Sequence, residues 1–447
     1  MAPGNRQGGV GAVLRVAFAT LGCKVNQFDS ALMEAGLEGD TVQVVPFESP
    51  ADIYVINTCT VTARSDAQSR QLIRRALRQN ARARVVVTGC YAQRAPEEIR
   101  RIPGVDLILG NPEKQDWIRY LRHLQADPAP CVQVGDVQAQ RRLDLPKRLP
   151  LPRGRTRGVL KIQEGCDYTC AFCLIPSTRG PSRSAPLEAL EAQARALVQQ
   201  GYRELVLTGV QIGLYGRDLQ PRRTLVDLLQ ALERIPGLAR VRLSSIDPRE
   251  VTPELVRFMA RSSRICRHLH IPAQSGSDEV LRRMDRHYTA REYLELLQGI
   301  AEAIPGVAIG SDWLVGFPGE GEDAFRESLA LVEAAPLSYL HVFPYSPRPG
   351  TPAWDWPSPV KGEALRERAA KLRALGQRKN LRFRQRLLGH AVTVLVEDPG
   401  PPARGLTDHY VRVTIQDRHV PQGILVRCRV DRVTSKETLA VFLGTIP

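Results

Sequence analysis

Three cysteines, Cys166, Cys170 and Cys173, fall within the stretch EGCDYTCAFC at residues 164–173. Their thiolates are metal ligands and nucleophiles. An odd set cannot close into disulfides, and a structural zinc site asks for a fourth ligand. A [4Fe–4S] cube also normally takes four thiolates, so three leave one iron open. An open position is what separates a catalytic metal from a structural one. The chain carries nine cysteines, the others being Cys23, Cys59, Cys90, Cys131, Cys266 and Cys428. An odd count in a chain expected to sit in the reducing cytoplasm points to metal or catalysis. Cys131, Cys266 and Cys428 have no partners at a useful spacing and read as structural.

The elements that position these thiols follow from hydrophobic pattern. VLRVAFATLGC, DIYVINTC and RVVVTGC are apolar, β-branched runs that predict buried strands, separated by helical patterns around DSALMEAGL and SDAQSRQLIRRALRQN. Strand–helix alternation predicts an open parallel α/β sheet over 11–130. Each run ends in a cysteine, and carboxyl ends of parallel strands face one crevice. Cys23, Cys59 and Cys90 should therefore meet at one sheet edge as a second metal site. A Pro- and Arg-rich linker is expected over 131–156, after a disordered tail at 1–10. Six further strand runs, GVLKIQEG, ELVLTGV, RVRLSSI, HLHIPAQ, VAIGSDWLVGF and YLHVFPY, alternate with helices over 157–386. They predict a (β/α)6 partial barrel of the TIM type, with chemistry at the strand carboxyl ends. The three-cysteine loop follows the first of these strands. Residues 387–447 read as a small all-β barrel of an RNA-binding kind.

Composition is that of a globular protein, with 43% hydrophobic and 24% charged residues. No apolar run approaches the roughly 20 residues that cross a bilayer. The start, MAPGNRQGGVGAVLRV, lacks the apolar core of a secretory signal. The expected location is cytoplasmic, with no membrane partner. The net charge of +15, mostly arginine, favours a nucleic-acid partner.

The pattern C-x3-C-x2-C after the first barrel strand, with aromatic Phe172 before the last cysteine, resembles the radical S-adenosylmethionine superfamily. TLGCKVNQFDS, VINTCTVT and VTGCYAQ narrow this to a resemblance to the methylthiotransferase family. It continues through GPSRS, LTGVQIGLYG, RLSSIDPREVT, HLHIPAQSGSDEVLRRM, VGFPGE and HVFPYSPRPGTPA, nearly the whole chain. GLTDHYVRV in the tail resembles the family's RNA-binding TRAM domain. GCKVNQFDS and GPSRS look most like the MtaB-like branch, which acts on N6-threonylcarbamoyladenosine next to the anticodon of tRNA. Other branches act on isopentenyladenosine or on an aspartate of a ribosomal protein. Departures from the branch pattern are small: Phe28-Asp29 where Tyr-Glu is common, and VQIGLYG where a histidine often follows the strand.

The resemblance implies two [4Fe–4S] clusters, one on Cys166, Cys170 and Cys173 and one on Cys23, Cys59 and Cys90. It implies S-adenosylmethionine used twice, once to methylate a sulfur on the auxiliary cluster and once as the source of a 5′-deoxyadenosyl radical that abstracts the C2 hydrogen of the adenine. An aryl C–H has no acidic proton for a base to take, and the cofactor does the hard chemistry. An electron donor such as flavodoxin or ferredoxin is implied as a further partner. By the same resemblance Phe172, Thr208, Gly209, Ser244, Ser245 and Gly310 are expected around S-adenosylmethionine, with Gly316 beside Gly310. Arg179, Arg183, His409, Tyr410 and Arg412 are candidate RNA contacts by residue type, and Arg70, Arg74, Arg75 and Arg78 form a basic helical stripe. Two other classes fit the cysteines: a non-catalytic RNA-binding protein with structural or sensing clusters, and a zinc-binding RNA module. Closed four-ligand coordination would mark the first, zinc without iron the second.

Overall fold

The computed structural model describes residues 13–37, 42–123, 131–145, 156–357, 360–416 and 418–446. The expected tail and the middle of the expected linker lie outside them. The chain forms two compact units, one built mainly from residues up to 141 and one from most of the remainder. Among the described residues no helix is long and apolar enough to cross a membrane.

The first unit holds a six-stranded sheet, with β1 Leu14–Thr20, β2 Val42–Val45, β3 Ile53–Thr58, β4 Arg84–Gly89, β5 Leu107–Leu109 and β6 Cys131–Gln133. The order is β2-β1-β3-β4-β5-β6, and every pairing is parallel. β3 is buried at all six positions, as expected for a parallel strand covered on both faces. Alternation divides the side chains between two cores. Tyr54, Ile56, Val85 and Val87 pack with Ile73 and Ala76 of the helix Ala63–Gln79. Ile53, Val55 and Val86 pack with Met33 and Trp117 on the other face. Two boundaries differ from the sequence expectation. Cys131–Gln133 was expected in the linker but adds the edge strand β6; three residues are too short to give a period-2 signal. Residues 174–181, expected in the barrel, belong to the first unit, because Arg179 of the helix Ile175–Arg179 is buried there against Asp29.

The second unit opens with β7 Arg157–Lys161, followed by a short antiparallel pair, β8 Gln163–Glu164 and β9 Arg183–Ser184. Then come β10 Glu204–Thr208, β11 Arg240–Leu243, β12 His268–His270, β13 Ala308–Val315 and β14 Tyr339–Pro344. β7, β10 and β11 form one parallel sheet, and β12, β13 and β14 another. Parallel bridges Val241–Ile265 and Ser245–His270 join them into one curved six-stranded wall. This is the (β/α)6 partial barrel the strand–helix alternation predicts. Capping boxes at Thr224/Asp227 and Thr289/Glu292 start two of its helices.

The remaining strands, β15 Ala391–Asp398, β16 Ala403–Thr407, β17 Arg412–Ile415, β18 Leu425–Val433 and β19 Thr438–Thr445, close into a five-stranded barrel. Val394, Val396, Val413, Ile415, Val426 and Val430 fill it. Two buried arginines dock this barrel on the larger one. Nε of Arg240 and Nε of Arg242 donate to the two oxygens of Glu204, at 2.5 and 2.8 Å. Their outer nitrogens donate to the carbonyls of Thr393, Leu406, Thr407 and Asp408 at 2.8–3.2 Å.

Candidate active site

In the first unit, the loops after β1, β3 and β4 are stitched together by short polar side chains. Asn26 Nδ2 donates to the carbonyls of Leu21 and Thr58, at 2.8 and 3.0 Å. Asn57 Nδ2 donates to the Asn26 carbonyl at 2.9 Å, and Thr58 Oγ1 to the Thr88 carbonyl at 2.5 Å. These bonds fix Cys23 at the N-cap of the helix Lys24–Ala35, Cys59 just past β3 and Cys90 at the start of the next helix. A side chain at Gly22 would bring its Cβ to 2.9 Å from Cys59 Cβ, so the loop can approach that cysteine only as glycine. The three thiols share one local field: burial pushes the Cys59 thiol up to about 11, with nearby Cys90 and Cys23 adding to the shift.

A buried charge cluster lies behind this trio. Asp29 accepts a close ion pair from Lys114 and a longer one from Arg179 at 3.4 Å. Lys114 also donates to Asn111 Oδ1 at 2.9 Å, and Asn111 Nδ2 to the Thr178 carbonyl at 2.6 Å. Arg179 is 1% exposed. It serves this cluster, which corrects its expected role as an RNA contact. Of the basic stripe, Arg70 donates to the Tyr91 hydroxyl at 2.9 Å and Arg75 pairs with Glu48.

In the second unit, the loop carrying Cys166, Cys170 and Cys173 is held from every side. Gln163 is the hub. Its Oε1 accepts from the amides of Val210 and Gln211 at 2.8 and 2.7 Å. Its Nε2 donates to the carbonyls of Glu164 and Gly165 and to Ser182 Oγ. Gln211 Oε1 accepts from the Asp167 amide at 2.9 Å, the Ala171 amide donates to the Met284 carbonyl at 3.0 Å, and the Cys173 amide to the Cys170 carbonyl at 3.0 Å. The Arg249 guanidinium lies 3.8 Å over the Tyr168 ring. Arg286, buried, reaches Cys170 Sγ at 3.4 Å while pairing with Asp247 at 2.9 Å. Burial pushes the Cys166 thiol far up, and Cys173 and Cys170 add to it. The other cysteines stand apart: Cys131 in β6, Cys266 buried before β12, Cys428 in the core of the small barrel. Each trio therefore presents three thiols and no fourth.

The donor chemistry fits a cube with one open iron in each place. Three thiols lie on one loop and three follow β1, β3 and β4, and a guanidinium faces Cys170. Ser244, at the carboxyl end of β11, has a buried hydroxyl with no hydrogen-bond partner among the described residues, a position suited to a bound polar molecule. Thr208 ends β10, and Ser245 is exposed beside Ser244. A Cβ at Gly209 would stand 2.9 Å from Gln163 Oε1, so that glycine makes room for the hub. Phe172 packs edge-on to Phe317, with centroids 6.2 Å apart.

The remaining expected contacts lie as follows. A Cβ at Gly310 would lie 2.1 Å from Tyr339 Cζ, so the missing side chain lets Tyr339 cross β13. Gly316 likewise makes room for Leu365. Arg183 is buried in β9. His409 and Tyr410 sit where the small barrel docks: Tyr410 stacks on His268 at 4.7 Å and on Tyr339 at 5.9 Å, and His409 packs against Phe383. Arg412 remains exposed and pairs with Glu397 at 3.3 Å. The exposed basic side chains that the sequence reading missed are Arg427, Arg429 and Arg432 on the outer face of β18. The period-2 alternation of Arg427 and Arg429 with buried Val426, Cys428 and Val430 was the available signal for those two; Arg432 falls out of phase after a bulge. Gln163 and Arg286 were missed as well, since neither type nor spacing marks a buttress.

Residues 15–110 match the family model described as "Uncharacterized protein family UPF0004", and residues 160–332 match the radical SAM superfamily. The chain is 39% identical over 429 residues to a threonylcarbamoyladenosine tRNA methylthiotransferase MtaB from Bacillus subtilis, covering 93% of each chain. It is also 39% identical over 388 residues to a ribosomal protein uS12 methylthiotransferase RimO from Desulforudis audaxviator, covering 86% of this chain and 85% of the other. Among solved structures, the radical S-adenosylmethionine methyltransferase TsrM from Kitasatospora setae aligns with a TM-score of 0.56 at 17% identity, over 77% of each chain. That likeness concerns the fold.

Proposed function

The chain belongs to the radical S-adenosylmethionine methylthiotransferase family, and we propose that it converts N6-threonylcarbamoyladenosine next to the anticodon of tRNA to its 2-methylthio form. The reaction class is supported by the match of residues 160–332 to the radical SAM superfamily and by two cysteine trios, one following β1, β3 and β4 and one on the loop after β8. The substrate reading is supported by the Bacillus subtilis relative, whose similarity extends over more of this chain than that of the ribosomal-protein enzyme, and by the branch-like stretches GCKVNQFDS and GPSRS.

When bound, the cluster on Cys166, Cys170 and Cys173 supplies the electron that cleaves S-adenosylmethionine, and the cluster on Cys23, Cys59 and Cys90 supplies the place where sulfur is methylated. The protein's own contribution is positioning and electrostatics. Gln163, Gln211 and the Met284 carbonyl hold the three-cysteine loop in one conformation. Arg286 places a cation 3.4 Å from Cys170 Sγ. The unpartnered Ser244 hydroxyl, with Thr208, Gly209 and Ser245, makes up the strand-end rim proposed to receive S-adenosylmethionine. Phe172 is the aromatic wall beside it. Arg427, Arg429, Arg432 and Arg412 offer the small barrel's exposed face to the phosphates of tRNA. A flavodoxin- or ferredoxin-like donor would supply the electrons.

The test uses anaerobically reconstituted protein, dithionite, S-adenosylmethionine and tRNA bearing threonylcarbamoyladenosine, with nucleoside mass spectrometry as the readout. The methylthio nucleoside is expected with the native chain and absent when Cys166, Cys170 and Cys173 are all changed to Ala. Formation of 5′-deoxyadenosine with no modified tRNA would overturn the substrate while leaving the radical chemistry standing.

A further inference from the structure

In the larger barrel, three polar side chains on β12, β13 and β14 that supply no cluster thiol lie close together. His270 ends β12, and Asp312 and His341 are register partners on β13 and β14. Asp312 Oδ1 stands 2.9 Å from His270 Nε2 and 3.1 Å from His341 Nδ1. One ligand atom from each residue lies within 4.8 Å of the other two. We propose that His270, Asp312 and His341 form a binding site for one divalent transition-metal ion, with zinc as the type.

Ligand chemistry and orientation support this independently. Two imidazole nitrogens and a carboxylate oxygen are a donor set that zinc takes when a fourth position is left for water or substrate. Asp312 Oδ1 lies between the two imidazoles, so one oxygen faces a nitrogen of each. Metal-bound histidines commonly have their second ring nitrogen fixed by an outer partner. His270 has one: its Nδ1 meets the Tyr339 hydroxyl at 3.1 Å, and that hydroxyl also meets His268 Nε2 at 2.8 Å. Tyr339 reaches both histidines, two strands away, only because Gly310 between them has no side chain. Exposure is graded across the triad: the side chain of His270 is 8% exposed, that of Asp312 27% and that of His341 51%. The buried side supplies fixed ligands and the open side admits the ion and a fourth, oxygen ligand.

Holoenzyme with both clusters loaded is the right sample, because the clusters then occupy the six thiols that would otherwise take zinc. It is dialysed anaerobically against micromolar zinc chloride, and zinc and iron are measured per chain by mass spectrometry. About one zinc per chain is expected in the native protein, lost in Asp312→Asn and in His341→Ala, with iron content unchanged as the control for folding. Tyr339→Phe should weaken zinc affinity roughly tenfold while leaving the ligands in place. No zinc uptake by the native chain, or equal uptake by native protein and the double variant Asp312→Asn, His341→Ala, would overturn the proposal. Because this readout does not depend on turnover, it fails or holds separately from the methylthiotransferase reading.

Discussion

Glu250 is a carboxylic acid buried just beyond β11, beside Gln211 Nε2 at 3.4 Å and the Gly213 amide at 3.2 Å. Burial pushes its pKa up to about 7, and Asp247 adds to the shift. An unfolded glutamate titrates near 4.3. Between those values the folded chain holds a proton that the unfolded chain has released. Stability from this group is therefore present at low pH and lost as pH rises towards 7, by about 3 kcal/mol. Glu250→Gln keeps the shape and abolishes the titration. Urea denaturation at about pH 5 and about pH 7.5 should give a native-minus-variant difference that moves by about 3 kcal/mol in the variant's favour at the higher pH. A difference independent of pH would mean that Glu250 stays ionised throughout.

At the scale of elements, the docking of β11 on the small barrel depends on one carboxylate. Glu204 is 0% exposed and neutralises Arg240 and Arg242. Burial would raise its pKa, but the two guanidiniums beside it lower it overall. Removing one member of a buried ionic group leaves an uncompensated charge and costs about 3–5 kcal/mol, whereas an exposed pair contributes about 1 kcal/mol or less. Glu204→Gln should lower the unfolding free energy by that larger amount in guanidinium melts, and Glu295→Gln, in the exposed pair with Arg291, should have little effect. Equal costs would place the docking energy elsewhere. The same elements explain how much was legible in the sequence. β3, β4, β10 and β13 announce themselves through β-branched runs, and the six cysteines through their position at strand ends. β16 does not, because its ARGLT contains Gly405, required where a Cβ would lie 2.3 Å from the Leu395 carbonyl. Arg179 was misread for a related reason: residue type carries phosphate-binding chemistry, but burial against Asp29 is a property of the tertiary fold.

At the scale of the whole molecule, a net charge of +15 on a chain with this fold predicts that binding to a polyanion is driven largely by release of counterions. Much of that charge does not face solvent: Arg179, Arg242, Arg286, Arg368 and Arg384 are buried and committed to internal partners. The charge available for phosphates is the exposed remainder, which includes Arg427 and Arg429 side by side on the outer face of β18. Affinity for the anticodon stem-loop should fall steeply as salt rises, with a log–log slope of about −0.7 to −0.9 per phosphate contacted. Arg427→Glu and Arg429→Glu should each weaken binding and flatten that slope by roughly one. Arg242→Gln should instead show its effect in thermal stability, because its guanidinium is spent on Glu204 and the carbonyls of Thr407 and Asp408. Fluorescence anisotropy across a salt series, run beside thermal melts of the same three variants, separates the two kinds of arginine. Unchanged slopes in the β18 variants would move the tRNA-facing surface off the small barrel and onto other exposed arginines, of which the helix Ala63–Gln79 carries a row.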